Sequence, residues 1–179
     1  MDRKTRKEMS FIVRGLSIRL QSVVTSHTTH VVVSSRWRTL AALCGAVRGC
    51  WIVKEEYLHA CVEAGSMVPP GGYQVEDLKK VSTRARIERS ALQLRSYSMR
   101  IFSDIRVRVR STAEHEPETV TLLQLCGATL ITEPMAKVDV TIAGPLDTSE
   151  DISINHVLSR WVSDSIMAGR PKKTKRYLI

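Results

Sequence analysis

The chain has 179 residues, 43% of them hydrophobic, with a mean hydropathy of −0.10 and a formal charge of +9 from 27 Lys and Arg against 18 Asp and Glu. That composition belongs to a folded globular chain, long enough for one domain or two small ones, and it excludes a low-complexity sequence. No apolar run approaches the roughly 20 residues needed to cross a bilayer, and no signal-type apolar segment follows the basic first residues, so neither a membrane span nor secretion is expected.

The first strand is expected at residues 10–13 (Ser-Phe-Ile-Val), followed by Gly15, with Ile18, Leu20, Val23 and Val24 forming a short apolar piece before the next strand. Residues 29–33 (Thr-His-Val-Val-Val) are a β-branched run fit for a buried strand. Between 38 and 47 the apolar residues Leu40, Leu43, Cys44 and Val47 recur at helical spacing, and Gly49 breaks that pattern before a strand at 50–53. A helix from about Glu55 to Gly65 and the turn cluster Pro69-Pro70-Gly71-Gly72 complete a first domain over residues 8–75.

Residues 76–97 read as a basic linker, in which Ile87, Ala91 and Leu94 could form a short helix. The second domain, residues 98–179, opens with an alternating strand through Ile101, Ile105, Val107 and Val109. A helix over 117–126 with Pro near its first turn follows, then strands at 128–132 and 138–142, a polar loop at 144–155, a strand around Val157 and a helix from Trp161. Strands alternating with helices call for parallel sheets covered by helices, an α/β chain.

One pattern occurs twice. Residues 57–65 (Tyr-Leu-His-Ala-Cys-Val-Glu-Ala-Gly) are echoed by 161–169 (Trp-Val-Ser-Asp-Ser-Ile-Met-Ala-Gly), each after a short strand-like run. An aromatic followed four residues later by a small Cys or Ser puts both on one helix face, and Gly65 and Gly169 stand where a helix stops. The chain therefore reads as two copies of one small domain, with Tyr57 and Trp161 as core residues.

Charge is unevenly placed. Residues 79–110 hold ten Lys and Arg against Glu88 and Asp104, and a second cluster closes the chain at Arg170, Lys172, Lys173, Lys175 and Arg176. Such stretches can neutralise nucleic-acid phosphates or meet an acidic protein face, or can simply be solvated connectors. The four cysteines form no CxxC pair and lie in apolar surroundings, which favours buried reduced thiols and an intracellular compartment. The histidines His27, His30, His59, His115 and His156 are scattered, and no Gly-rich phosphate loop or Ser-His-Asp arrangement is present, so neither an enzyme nor a cofactor or metal is expected.

Residues 29–32 (Thr-His-Val-Val), 38–40 (Arg-Thr-Leu) and 45–52 (Gly-Ala-Val-Arg-Gly-Cys-Trp-Ile) resemble the heart of a BRCT repeat. Residues 125–128 (Leu-Cys-Gly-Ala) and 159–162 (Ser-Arg-Trp-Val) resemble a second. The resemblance implies tandem BRCT repeats packed head to tail, each a small parallel four-stranded sheet flanked by helices. It also implies a groove between repeats that docks a phosphoserine peptide, of the histone-tail type. In that family the phosphate is held by a hydroxyl residue ending the first strand, the next backbone N–H, and often a lysine on the helix after the third strand.

Matched to this sequence, the backbone donor is Gly15, whereas the hydroxyl position holds Arg14 and the lysine position Ala41. Arg14 could supply both lost groups through its guanidinium fork, with Ser17 beside it, or could be only a surface residue. Arg38 would reach the peptide main chain or its terminal carboxylate, and Leu40 and Leu43 would line an apolar wall. The second-repeat side falls near residues 114–116 and is polar here. Trp37 is either a partner anchor or a packing residue. The first repeat is also short: residues 16–28 leave little room for the family's first helix and second strand. The implied role is a nuclear phosphoprotein-binding module acting on chromatin in the DNA-damage response and chromosome condensation. The alternative is a nucleosome- or DNA-contacting scaffold using Arg84, Arg86, Arg89 and Arg95.

Overall fold

The computed structural model describes residues 16, 18–34, 37–145, 147 and 155–179, which fall into two compact units, residues 1–97 and 98–179. The strand expected at 10–13 lies outside the described residues.

In the first unit, β1 (His30–Val33) and β2 (Trp51–Lys54) pair in parallel, with His30 opposite Trp51 and Val33 opposite Lys54. Parallel neighbours need a crossover, which here is helix α1 (Leu40–Val47). Thr39 starts α1 by accepting from the Ala42 backbone N–H through its hydroxyl (3.2 Å), the ordinary N-cap bond. The helix then buries six consecutive residues, Ala42 to Val47. Gly45 allows this close approach, because a Cβ there would lie 2.6 Å from Val31 Cγ2 and 3.0 Å from Ile52 Cδ1.

Around Val53, Tyr57, Leu58 and Cys61 a second cluster forms, contributed largely by α2 (Glu56–Glu63), with Val32, Trp51, Val68 and Tyr73 packed against it. Residues 76–91, expected in a basic linker, instead form the 16-residue helix α3 (Glu76–Ala91) of the first unit, packed on α1 and β2. Its buried stripe is Leu78, Val81, Ser82 and Ala85; Ile87, expected to pack, is 64% exposed.

The second unit is a four-stranded parallel sheet of order β4-β3-β5-β6, from β3 (Arg106–Val109), β4 (Thr129–Leu130), β5 (Val140–Ile142) and β6 (His156–Val157). Helices α4 (Glu116–Leu125) and α5 (Arg160–Ala168) cover it. The first expected strand here is shorter than its alternation implied: residues 101–104 are turns, and Ile101 and Phe102 are buried from within them. Phe102 packs against Trp161, ring centroids 5.1 Å apart, and Trp161 is 1% exposed.

All five of these helices end alike. The residue in left-handed conformation donates to the carbonyl three back, and the next residue donates to the carbonyl five back: Gly49 to Ala46 and Cys50 to Gly45 after α1, Gly65 to Val62 and Ser66 to Cys61 after α2. The same pairs recur at Gln93 and Leu94, Gly127 and Ala128, Gly169 and Arg170. This double bond satisfies carbonyls that the helix end would otherwise leave open.

The repetition seen in the sequence extends to a clamp at equivalent positions in both units. Tyr57 donates its hydroxyl to Val68 O (3.1 Å) while Val68 N donates to Cys61 Sγ (3.5 Å). Trp161 donates Nε1 to Lys172 O (2.8 Å) while Lys172 N donates to Ser165 Oγ (3.0 Å). Beyond the clamp, Val75 N bonds Ile52 O and Ile179 N bonds His156 O, and Gln74 and Leu178 form antiparallel bridges with Val53 and Val157. The aromatic at the start of each helix thus fixes the segment that follows the helix, as well as filling the core.

Candidate functional site

Of the residues assigned to a phosphate pocket, Arg14, Gly15 and Ser17 lie outside the described residues. The others stand at the entry to α1. Arg38 is exposed, directly before the Thr39 cap, with its guanidinium 5.3 Å from the centroid of the half-buried Trp37 ring. Stacking of a guanidinium on an indole fixes the plane of the fork. The first turn of α1 holds no acidic residue that would offset the positive end of its dipole. Leu40 and Ala41 are half-buried. Leu43 is 4% exposed and belongs to the core, so it offers a bound peptide almost no surface, contrary to its expected place in an apolar wall.

At the start of β1, His30 stacks on Tyr57 (5.4 Å between centroids, 9° between planes) and its Nδ1 lies 2.9 Å from Thr29 Oγ1. Burial, followed by the charge of Arg86, holds the His30 pKa below its ordinary value. The Tyr57 phenol is pushed up to about 12, mainly by burial, which keeps it a donor to Val68.

The four arginines of the alternative site do not form one surface. Arg86 lies over the Trp51 ring at 3.6 Å and donates to Cys50 O (3.2 Å), Gln74 Oε1 (3.3 Å) and Thr83 Oγ1 (3.0 Å). Arg89 donates to Ser26 O (3.1 Å). Both are therefore half-buried and engaged inside the first unit. Arg84 pairs with Glu88 at 2.6 Å, and Tyr97 donates its hydroxyl to the other oxygen of that carboxylate. Arg95 is exposed. Further along the basic stretch, Arg106 grips Asp139 through Nη2 (2.9 Å) and Nε (3.2 Å), and Arg108 donates to Glu133 O and Ala136 O. The Arg106 hydrogen bonds hold the Asp139 carboxyl below the usual carboxylate range. Much of the charge at 86–108 thus serves folding.

Near the polar face expected at 114–116, His115 takes φ 51 as it enters α4, with Glu114 exposed and Glu116 half-buried. Among the described residues no group of three or more His, Cys, Asp or Glu is placed to hold a metal ion. The Arg86 lock on Trp51 was not foreseen. Its only sequence signal is a pairing of Arg86 with the 48–51 run (Arg-Gly-Cys-Trp), which are far apart in the chain.

Comparison with known proteins agrees with this architecture. Residues 1–62 match the model of the BRCA1 C Terminus (BRCT) domain family. Microcephalin of Mus musculus is 28% identical over 141 residues, covering 78% of this chain and 17% of that protein. Microcephalin of Macaca fascicularis is 25% identical over 169 residues, 93% of this chain and 20% of that protein. The chain therefore spans about a fifth of the length of the curated relatives it matches. Among solved structures, the BRCT5-BRCT6 domains of S. pombe Brc1 superimpose with a TM-score of 0.63 at 15% identity, covering 89% of this chain and 86% of that one. Rtt107p, solved in complex with a phosphorylated histone, gives a TM-score of 0.64 at 11% identity, covering 96% and 84%. Residues 1–62 are thus similar to a BRCT domain, the chain shares the fold of tandem BRCT structures, and it is similar in sequence to microcephalin.

Proposed function

We propose that this chain is a phosphoprotein-binding tandem BRCT module of a microcephalin-like protein, a binding module and not an enzyme. The observation that carries the reading is the entry to α1. An exposed Arg38 is braced by Trp37 beside a helix start whose first turn contains no acid, an arrangement suited to a peptide carboxylate or phosphate. Arg14, Gly15 and Ser17 are proposed to hold the phosphate, with the Arg14 guanidinium acting in place of the family's hydroxyl and lysine. The similarity to microcephalin and the fold shared with Rtt107p, which was solved with a phosphorylated histone, support a phosphorylated histone-type tail as the ligand. A nuclear location and roles in the DNA-damage response and chromosome condensation belong to the same reading.

Isothermal titration tests it, using phosphoserine peptides with an aromatic three residues on, ending there in a free carboxylate or an amide, each beside its unphosphorylated twin. Binding should require the phosphate, be lost in Arg14→Ala, and lose its preference for the free carboxylate in Arg38→Ala. Equal binding of the twins would end the phosphopeptide reading.

A further inference from the structure

The clamp stands at equivalent positions in the two units, but the segments it holds differ in charge. In the first unit it fixes residues 66–72 (Ser-Met-Val-Pro-Pro-Gly-Gly), which carry no charge. In the second it fixes residues 170–176 (Arg-Pro-Lys-Lys-Thr-Lys-Arg), five cations in seven residues with no acid among them. Since the uncharged segment satisfies the same clamp, the fold does not demand these cations.

Arg170, Lys172, Lys173, Lys175 and Arg176 are all exposed, and among the described residues none of the five enters a salt bridge. Their backbone is anchored on both sides. Lys172 is held through its N–H and its carbonyl, and Tyr177 O accepts from Leu158 N (2.9 Å) while the Tyr177 hydroxyl donates to Asp164 (3.0 Å). A strip ordered in this way loses little backbone freedom when it meets a partner.

We infer that residues 170–176 form a contact strip for the phosphate backbone of duplex DNA. The composition selects this partner over an acidic protein. Protein interfaces are built on aromatic, Met or Arg anchors in dry pockets and are depleted in Lys, whereas this strip is chiefly lysine and Pro171 is its lone apolar member. Phosphate neutralisation needs only closely spaced, exposed cations, and duplex DNA presents the densest array of anions. The strip holds no aromatic for base stacking and no α-helix for groove reading, only a single 3-10 turn at Thr174–Arg176, so the contact is independent of base sequence. Arg86 and Arg89 are consumed inside the first unit, which moves the nucleic-acid surface away from the α3 stretch where the charge count alone put it.

The test is a titration of the whole chain with a fluorescent duplex of about 20 base pairs across a series of salt concentrations. The triple variant Lys173→Gln/Lys175→Gln/Arg176→Gln leaves the clamped Lys172 main chain untouched. Its slope of log K against log salt should be shallower by about 2.7, roughly 0.9 per lost phosphate contact. A control of equal charge change, Lys54→Gln/Lys79→Gln/Lys80→Gln, should leave the slope within about 0.9 of the parent. Both variants should melt with the parent, and both should bind phosphopeptide as it does. If the control weakens DNA binding as much as the strip variant, net charge alone is responsible and the assignment falls. If polyglutamate of matched charge displaces the duplex as well as unlabelled DNA does, the strip is a site for acidic protein and the DNA assignment falls.

Discussion

Gly49 is where the end of α1 meets the backbone of α3. It takes φ +79, and a Cβ there would lie 2.7 Å from Arg86 N and 3.0 Å from Ala85 C, both backbone atoms of α3. Gly49→Ala must therefore adopt a left-handed conformation and push a helix away. The expected loss is about 2 to 4 kcal/mol, read from the midpoint of a denaturant titration. An unchanged midpoint would show that α3 yields without cost. His30 gives a second expectation at this scale. Its pKa is lowered in the folded chain, first by burial and then by Arg86, so the unfolded chain binds more protons below the ordinary value of 6.5. Stability from this group is present above that pH and is lost as pH falls through the folded pKa. His30→Phe preserves the stack on Tyr57 without titrating, so its unfolding free energy should change less between pH 7 and 5 than that of the parent. Parallel curves would exclude His30 as the source.

Helix endings show what was legible at the level of elements and what was not. Glycine after an apolar repeat marks the ends of α1, α2, α4 and α5, because only a left-handed residue can close the two terminal bonds at no steric cost. The same ending after α3 is made by Gln93 at φ 51, and no glycine announces it. The helix itself was hidden for a related reason: after Leu78 and Val81 its buried stripe continues through the small residues Ser82 and Ala85, the latter at the close approach of Gly49, while its apolar Ile87 faces solvent. Hydrophobic spacing detects bulky stripes and overlooks a helix that packs through small ones. Gln93→Gly relieves the left-handed strain at that end. It should raise stability by about 0.5 to 1 kcal/mol, seen as a higher melting temperature with unchanged peptide binding. A lower melting temperature would place greater weight on the flexibility that glycine adds to the unfolded chain.

Across the whole molecule, duplication was the feature most plainly written in the sequence, because the aromatic, the small residue and the terminal glycine each occupy matching positions. The functional residues were less legible. A lysine or arginine that stacks on an indole and one that meets solvent look alike in a sequence, and Arg86 was separated from Arg95 only by the structure. The duplicated clamp also allows one unit to predict the other. Cys61 and Ser165 are both fully buried, and each accepts one backbone N–H, from Val68 at 3.5 Å and from Lys172 at 3.0 Å. If the two sites are equivalent, sulfur and oxygen should be interchangeable there while a methyl group is not. Ser165→Ala strands the Lys172 N–H and should cost about 1 to 3 kcal/mol; Ser165→Cys should recover most of that loss, as Cys61 does in its own unit. Thermal denaturation of the two variants decides the matter. Equal losses would mean that volume governs the site, and that the shared hydrogen bond is a consequence of the packing and not its cause.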